Sequence, residues 1–169
     1  MQEAIEMDPR TFKQAMRHCA GAVALVSVGR EIGQRTGLTV TAVCSVSDDP
    51  PSLLVCVNRN ASAHPRIREE GGFVVNFLGE KHGALALTFS GQDGTAGDAR
   101  FGFGDWIARS VGAPVLADAV VAFDCELANE FETKTHSIFI GIVRDVFMRA
   151  ESGSLVYAHG GFHGLRAIV

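Results

Sequence analysis

The chain has 169 residues, enough to bury one sizeable core without metals or disulfides, and residues 1–169 read as a single domain. Its 47% apolar and 20% charged residues are those of an ordinary globular protein, and a net charge of −4 gives no broad attraction to nucleic acid or an anionic membrane. No apolar run approaches the roughly 20 residues that span a bilayer, and the polar, acidic start MQEAIEMDPR is unlike a signal peptide.

Asp8 followed by Pro9 predicts a helix start, with an N-cap acceptor before proline at the first helical position. Phe12, Ala15, Met16 and Cys19 then recur at helical spacing, so 9–18 reads as an amphipathic helix. Residues 22–28 form a β-branched run, and 29–37 are polar with three glycines, a turn or mobile loop. Residues 38–46 are rich in Val and Thr, as strands are, and Asp48-Asp49-Pro50-Pro51 ends them. Short apolar strands are expected at 52–57 and 73–78. Between them 62–70 reads as a helix capped by Ser62, and 81–90 as another helical stretch weakened by Gly83.

The segment 91–104 holds five glycines and reads as an irregular surface excursion, anchored by Phe101 and Phe103. The single Trp106 suits packing better than ring stacking. Two long strands follow, at 120–130 and 137–148. In the first, Val121, Phe123, Cys125 and Leu127 alternate with Ala122, Asp124, Glu126 and Ala128, a half-buried pattern. A last short strand at 155–158 precedes the glycine-rich run from His159 to Gly164. About seven strands and three short helices, without regular β–α alternation, argue against a doubly wound sheet. They predict a mainly β fold, a closed antiparallel barrel with peripheral helices.

Several chemistries lack their motifs. There is no GxGxxG, Walker A or GxSxG sequence. His159 and His163 lie among glycines rather than on a helix face, so no metal site is assigned. Of the four cysteines, Cys44 and Cys56 lie in apolar runs and are expected to be buried free thiols. With no CxxC pair, they point to a reducing cytoplasm. Asn60-Ala61-Ser62 fits a glycosylation pattern that has no consequence there.

The stretch TGLTVTAVCSVSDDPP, residues 36–51, carries the most chemistry. As one strand it would set Thr39, Thr41, Ser45 and Ser47 on one face, and Leu38, Val40, Ala42, Cys44 and Val46 on the other. A solvent-facing strand would show the same alternation. The next strand ends in Val57-Asn58-Arg59-Asn60-Ala61-Ser62. Free backbone N–H groups, hydroxyls, a helix start and one guanidinium suit a phosphate monoester.

Residues 36–62 resemble the signature of the short-chain flavin reductases, whose fold is a Greek-key FMN-binding split β-barrel. The likeness is to reductase components of 4-hydroxyphenylacetate 3-monooxygenase and to relatives in pyrimidine degradation. It continues through Phe73–Leu78, Phe89-Ser90-Gly91, Arg100-Phe101 to Trp106, Lys134–Phe139, Leu155-Val156-Tyr157 and Gly161-Phe162-His163. The resemblance implies a homodimer with flavin grooves near its interface. Thr39, Val40, Thr41, Ala42, Val43 and Ser45 would border the ring and ribityl chain. Asn58, Arg59, Asn60 and Ser62 would lie near the phosphate, while Phe89 and Ser90 would close the site. His136 matches a histidine on the nicotinamide side, with Lys134-Thr135 where many members carry Gly-Asp. Tyr157 and Phe162 would lie near the pyridine nucleotide or the barrel mouth.

The implied cofactor is FMN, with FAD as the alternative, and the implied donor is NADH or NADPH. The implied reaction is hydride transfer from nicotinamide to flavin, which needs positioning rather than a strong acid or base. Three readings stay open at this point. The chain could supply reduced flavin to a partner monooxygenase, pass electrons from retained FMN to an acceptor such as a corrin cobalt, or be a non-catalytic flavin-binding barrel. The excursions at 29–37 and 91–104 are expected to be mobile lids at the groove mouth.

Overall fold

A computed structural model describes residues 7–149 and 153–168. The first six residues, on which part of the N-terminal reading rests, lie outside them. Helix α1 is Pro9–Met16, and both carboxylate oxygens of Asp8 accept from the amides that open it, as expected of its cap. Strands β1 (Gly21–Ala22), β2 (Ala24–Val28), β3 (Thr36–Val40), β4 (Val43–Asp48) and β5 (Pro51–Asn58) follow. Helix α2 (Ala63–Glu70), β6 (Gly72–Phe77), a 3-10 turn at Glu80–His82 and α3 (Gly83–Ser90) come next. A 3-10 segment at Gly97–Gly102 leads to β7 (Trp106–Ala108) and β8 (Pro114–Leu116). The chain closes with β9 (Val121–Glu132), β10 (His136–Met148), β11 (Leu155–Ala158) and β12 (Gly161–Gly164).

Seven strands make one antiparallel sheet in the order β3-β2-β6-β9-β10-β5-β4. Its two edge strands, β3 and β4, are consecutive in the chain. The sheet therefore curls until its edges meet, joined by the short corner at Thr41 and Ala42 rather than by a ladder. This is the expected barrel, left open along one seam. β1, β11 and β12 form a second small sheet, and β7 pairs β8.

The sheet buries both faces. Inside the barrel, Val26, Val28, Val55, Val57, Phe73, Val75 and Phe139 pack with Ile67 of α2. Outside it, Leu25, Val74, Leu85, Phe89, Phe101 and Leu116 form a second core under α3 and β8. Burial on two faces corrects the half-buried reading of β9. Ala122 and Asp124, placed on its open face by alternation, are 1% and 2% exposed. Burial lifts the Asp124 carboxyl above its usual range, and its Oδ2 accepts from the Val111 amide at 2.8 Å.

Further corrections concern the ends and loops. Cys44 is exposed rather than buried, because β4 is an edge strand, and Cys56 is half-buried. The glycine-rich run from His159 to Gly164 carries one more strand, since Gly161–Gly164 pairs with β11. Phe101 is 5% exposed and anchors its excursion, whereas Phe103 is 53% exposed and does not. Trp106 packs on Phe101 with ring centroids 4.8 Å apart and on Phe89 at 5.6 Å, the packing role expected of it.

Candidate flavin site

The seam of the barrel is the candidate site. Its position follows from a break that the sequence pattern does not show. The run 38–46 is two strands, not one. Strand β3 pairs with β2, Thr39 opposite Leu25, and β4 pairs with β5, Cys44 opposite Leu54. The corner at Thr41 and Ala42 ends the alternation, so Thr39, Thr41, Ser45 and Ser47 do not share a face. Thr39 points to α3, its hydroxyl donating to the Ala86 carbonyl at 2.6 Å. Ser45 lies on the far edge with Val43, in an apolar groove also lined by Phe77, Phe123 and Val146.

A cavity of about 240 Å³ follows the seam, lined by residues 38–42 of β3 and its corner, Cys56 and Asn58 of β5, and His136 of β10. Thr39, Val40, Thr41, Ala42, Asn58 and His136 are therefore brought together. A second cavity of about 410 Å³ continues from it through Leu38, Thr39 and Asn58. It is walled by Asn60, Ser62, Phe89, Ser90 and Arg100.

One close packing contact and one hydroxyl pair fix this second wall. A Cβ on Gly37 would lie 2.8 Å from the Phe89 ring, so glycine lets α3 press against β3. Phe89 itself is 1% exposed and supports the wall from behind. Ser62 stands at the start of α2, but its side chain makes no cap. Its hydroxyl is 2.7 Å from that of Thr36, which stitches α2 to β3. Among the described residues the backbone N–H of Ser62, which lines this cavity, has no acceptor, as expected at a helix start. The side chain of Asn58 is committed to its own turn, accepting from the Asn60 amide at 2.9 Å.

The guanidinium expected here was that of Arg59, and it points elsewhere. It donates to the Thr133 carbonyl at 3.2 Å and lies 3.5 Å from Glu132. The cation in the wall is Arg100, which the sequence reading placed in a matched segment but gave no role. Its Nη1 donates to the Gly37 carbonyl at 2.7 Å and its Nε to the Thr95 carbonyl at 2.9 Å. Both partners are neutral, and no carboxylate pairs with it among the described residues. A half-buried guanidinium held only by carbonyls keeps its charge for an anion. By contrast Arg35 is neutralised by Asp98, at 2.6 and 3.2 Å, and lies over the Phe101 ring. That hydrogen-bonded pair holds the Asp98 carboxyl below its usual range.

These contacts correct the picture of two lids. Arg35 joins loop 29–35 to the 97–102 segment, and Arg100 joins that segment to β3. The two excursions are one tethered wall.

His136 sits at the first position of β10, where the tight turn from β9 is built by threonines. Thr133 accepts the His136 amide through its hydroxyl at 3.1 Å and donates that hydroxyl to the His136 carbonyl at 2.8 Å. The Thr135 hydroxyl is 2.9 Å from Nδ1. The ring is thereby oriented with Nε2 free among the described residues, so Lys134-Thr135 still presents the histidine to the seam. Behind it, His64 of α2 bonds the Ser137 hydroxyl at 2.8 Å and packs edge-on to Phe139. Tyr157 lies at the other end of the seam, beyond Thr41, and Phe162 packs on it with centroids 5.7 Å apart.

Among the described residues no cluster of three or more His, Cys, Asp or Glu could hold a metal, and no helix is long and apolar enough to cross a membrane. The arrangement is an elongated, mostly neutral trench with one cationic end.

The comparisons agree with that chemistry. Residues 16–166 match the family model described as a flavin reductase like domain. The chain is 40% identical over 155 residues to FMN reductase (NADH) RutF 1 of Methylorubrum extorquens, covering 92% of this chain and 75% of the relative. It is 41% identical over 146 residues to FMN reductase (NADH) RutF of Agrobacterium fabrum, covering 86% and 82%. Among solved structures it is similar to BorF, the flavin reductase component of a bacterial two-component tryptophan halogenase. The TM-score is 0.86 at 30% identity, covering 95% of this chain and 99% of that one. The seam, its phosphate-suited end and a family match over nearly the whole chain agree, and the chain belongs to the flavin reductase like family.

Proposed function

We propose that this chain is an NADH-dependent FMN reductase that supplies reduced flavin to a partner monooxygenase. The observation that carries this reading is the continuous trench, with an uncompensated Arg100 and the free Ser62 amide at one end and His136 beside a neutral strand wall at its middle. That donor set fits FMN. A phosphate monoester would take the Arg100 and Ser62 end, with Asn60 and Ser90 beside it. A planar ring would lie against residues 38–42, along the edge of β3 that pairs with no other strand among the described residues. Bound there, the flavin would supply a hydride acceptor for the reduced nicotinamide.

The protein's own work is then binding, orientation and exclusion of water. The Thr133–Thr135 turn fixes the His136 ring, which would hold the nicotinamide side of the stack. No residue has to move a proton strongly, which agrees with a seam that holds no carboxylate. The likeness to the RutF proteins supports FMN and NADH, and the likeness to BorF, one half of a two-component system, supports a separate flavin-using partner, with FAD as the alternative flavin. The apolar groove of about 630 Å³ around Val43, Phe77, Phe123 and Val146 supports a homodimer, a second copy being the partner that would cover it.

The test is anaerobic titration of the flavin-loaded protein with NADH and NADPH, followed by a panel of acceptors. Bleaching of the flavin band by NADH, with turnover on free FMN, is the expected result. Retained flavin that NADH does not bleach would overturn the reductase reading. Turnover on a cobalt corrin but not on free flavin would overturn the proposed acceptor. Sedimentation should give a dimer, and Val146→Glu should shift it toward monomer.

A further inference from the structure

The trench does not end at its middle. Thr41 and Ala42 line the seam cavity and also a third cavity of about 440 Å³. Its outer walls are Phe12, Lys13, Met16 and Arg17 of α1, with Tyr157 of β11. The volume lies within the range of small-molecule sites, roughly 300–1,000 Å³. Phe12 and Met16 are 57% and 50% exposed, and α1 has no buried residue, so its apolar side serves no core. Lys13 and Arg17 are four residues apart, which puts them on one helix face. The acid at the head of α1, Asp8, is committed to the Arg10 and Thr11 amides.

FMN carries its phosphate at one end only, and in the proposed site Arg100 and Ser62 would meet that end. A second basic end, on the far side of the ring wall, calls for a second anion that also offers apolar surface. We propose that the α1 groove takes the adenylate half of the nicotinamide dinucleotide, with Lys13 and Arg17 meeting its phosphates and Phe12, Met16 and Tyr157 meeting the purine. This rests on the reductase reading. It makes α1 a recognition element for the donor, acting on binding rather than on the hydride step.

The experiment uses a Lys13→Gln/Arg17→Gln double variant and three probes: NADH, N-benzyl-dihydronicotinamide, which lacks the adenylate, and ADP-ribose. The kcat/KM of NADH relative to the truncated donor should fall by about three- to tenfold, the range for two exposed charge contacts. The change should sit in KM for NADH. ADP-ribose binding, measured by calorimetry, should weaken by a similar factor, and Arg17→Lys should retain it better than Arg17→Gln. An unchanged donor ratio, or ADP-ribose binding alike to wild type and double variant, would overturn the assignment. If neither donor bleaches the flavin while ADP-ribose binding still needs both cations, the reductase reading fails and the adenylate groove stands.

Discussion

Arg100→Met should weaken FMN while leaving riboflavin nearly untouched. The wild-type guanidinium is half-buried and anchored at 2.7 Å to the Gly37 carbonyl and 2.9 Å to the Thr95 carbonyl, with no carboxylate sharing its charge. A charge-assisted contact of this kind contributes about 1.5–3 kcal/mol, which is about 10- to 150-fold in Kd. The partly open setting favours the lower half of that range. Riboflavin lacks the phosphate, so it reports any collapse of the wall caused by losing the two carbonyl contacts. Flavin fluorescence titrations with both ligands give the two Kd values directly. Arg59→Met is the control, because its guanidinium is held at Thr133 and Glu132, and FMN should bind it as it binds wild type. Equal losses for FMN and riboflavin in Arg100→Met, or a larger FMN loss in Arg59→Met, would refute the assignment of the phosphate end.

Three other outcomes follow from particular contacts. His136→Ala should slow flavin reduction by NADH in stopped flow by about tenfold, since it removes one positioning group, while the FMN Kd stays within about twofold, an exposed ring at the seam contributing little. Gly141→Ala should lower stability to urea by about 1–3 kcal/mol, because the new Cβ would lie 2.7 Å from Cys125 and 2.8 Å from Phe73. His64 should make stability pH-dependent. Burial, reinforced by Arg68 and only partly opposed by Glu130, depresses its pKa below the ordinary 6.5. Its contribution is then full above about pH 6.5 and is lost as pH falls toward the folded-state value. Urea midpoints should therefore drop between pH 7.5 and 5.5 in wild type and drop less in His64→Gln. An equal drop in both would assign the effect elsewhere, while the hydrogen-bonded carboxylates of Asp98 and Asp145 act at lower pH.

Much of this protein is legible along the chain. The Asp8-Pro9 start, the β-branched runs and the long alternating strands announce a β fold because cap chemistry and period-two burial are local properties. The family signature over residues 36–62 also names the segment that builds the site. Local pattern misleads wherever two distant elements compete for one residue. The run 38–46 alternates as one strand, yet it serves both edges of a curled sheet. The corner at Thr41 and Ala42 is fixed by pairing with β2 and β5, which no local rule contains. For the same reason Asp124, polar by pattern, is buried under the Val111 loop, and Cys44, apolar by neighbourhood, stands on an open edge.

The phosphate-end cation is the clearest division. Both Arg59 and Arg100 are visible in the sequence, and proximity to the helix start favours Arg59. Which of them faces the trench depends on where Glu132 and the Thr133 carbonyl arrive on β9, and on Gly37 letting Phe89 bring α3 and Arg100 against β3. Residue types and periodicity determined the fold class and the chemistry on offer. Only tertiary packing decided which charges are neutralised by a neighbour and which are not.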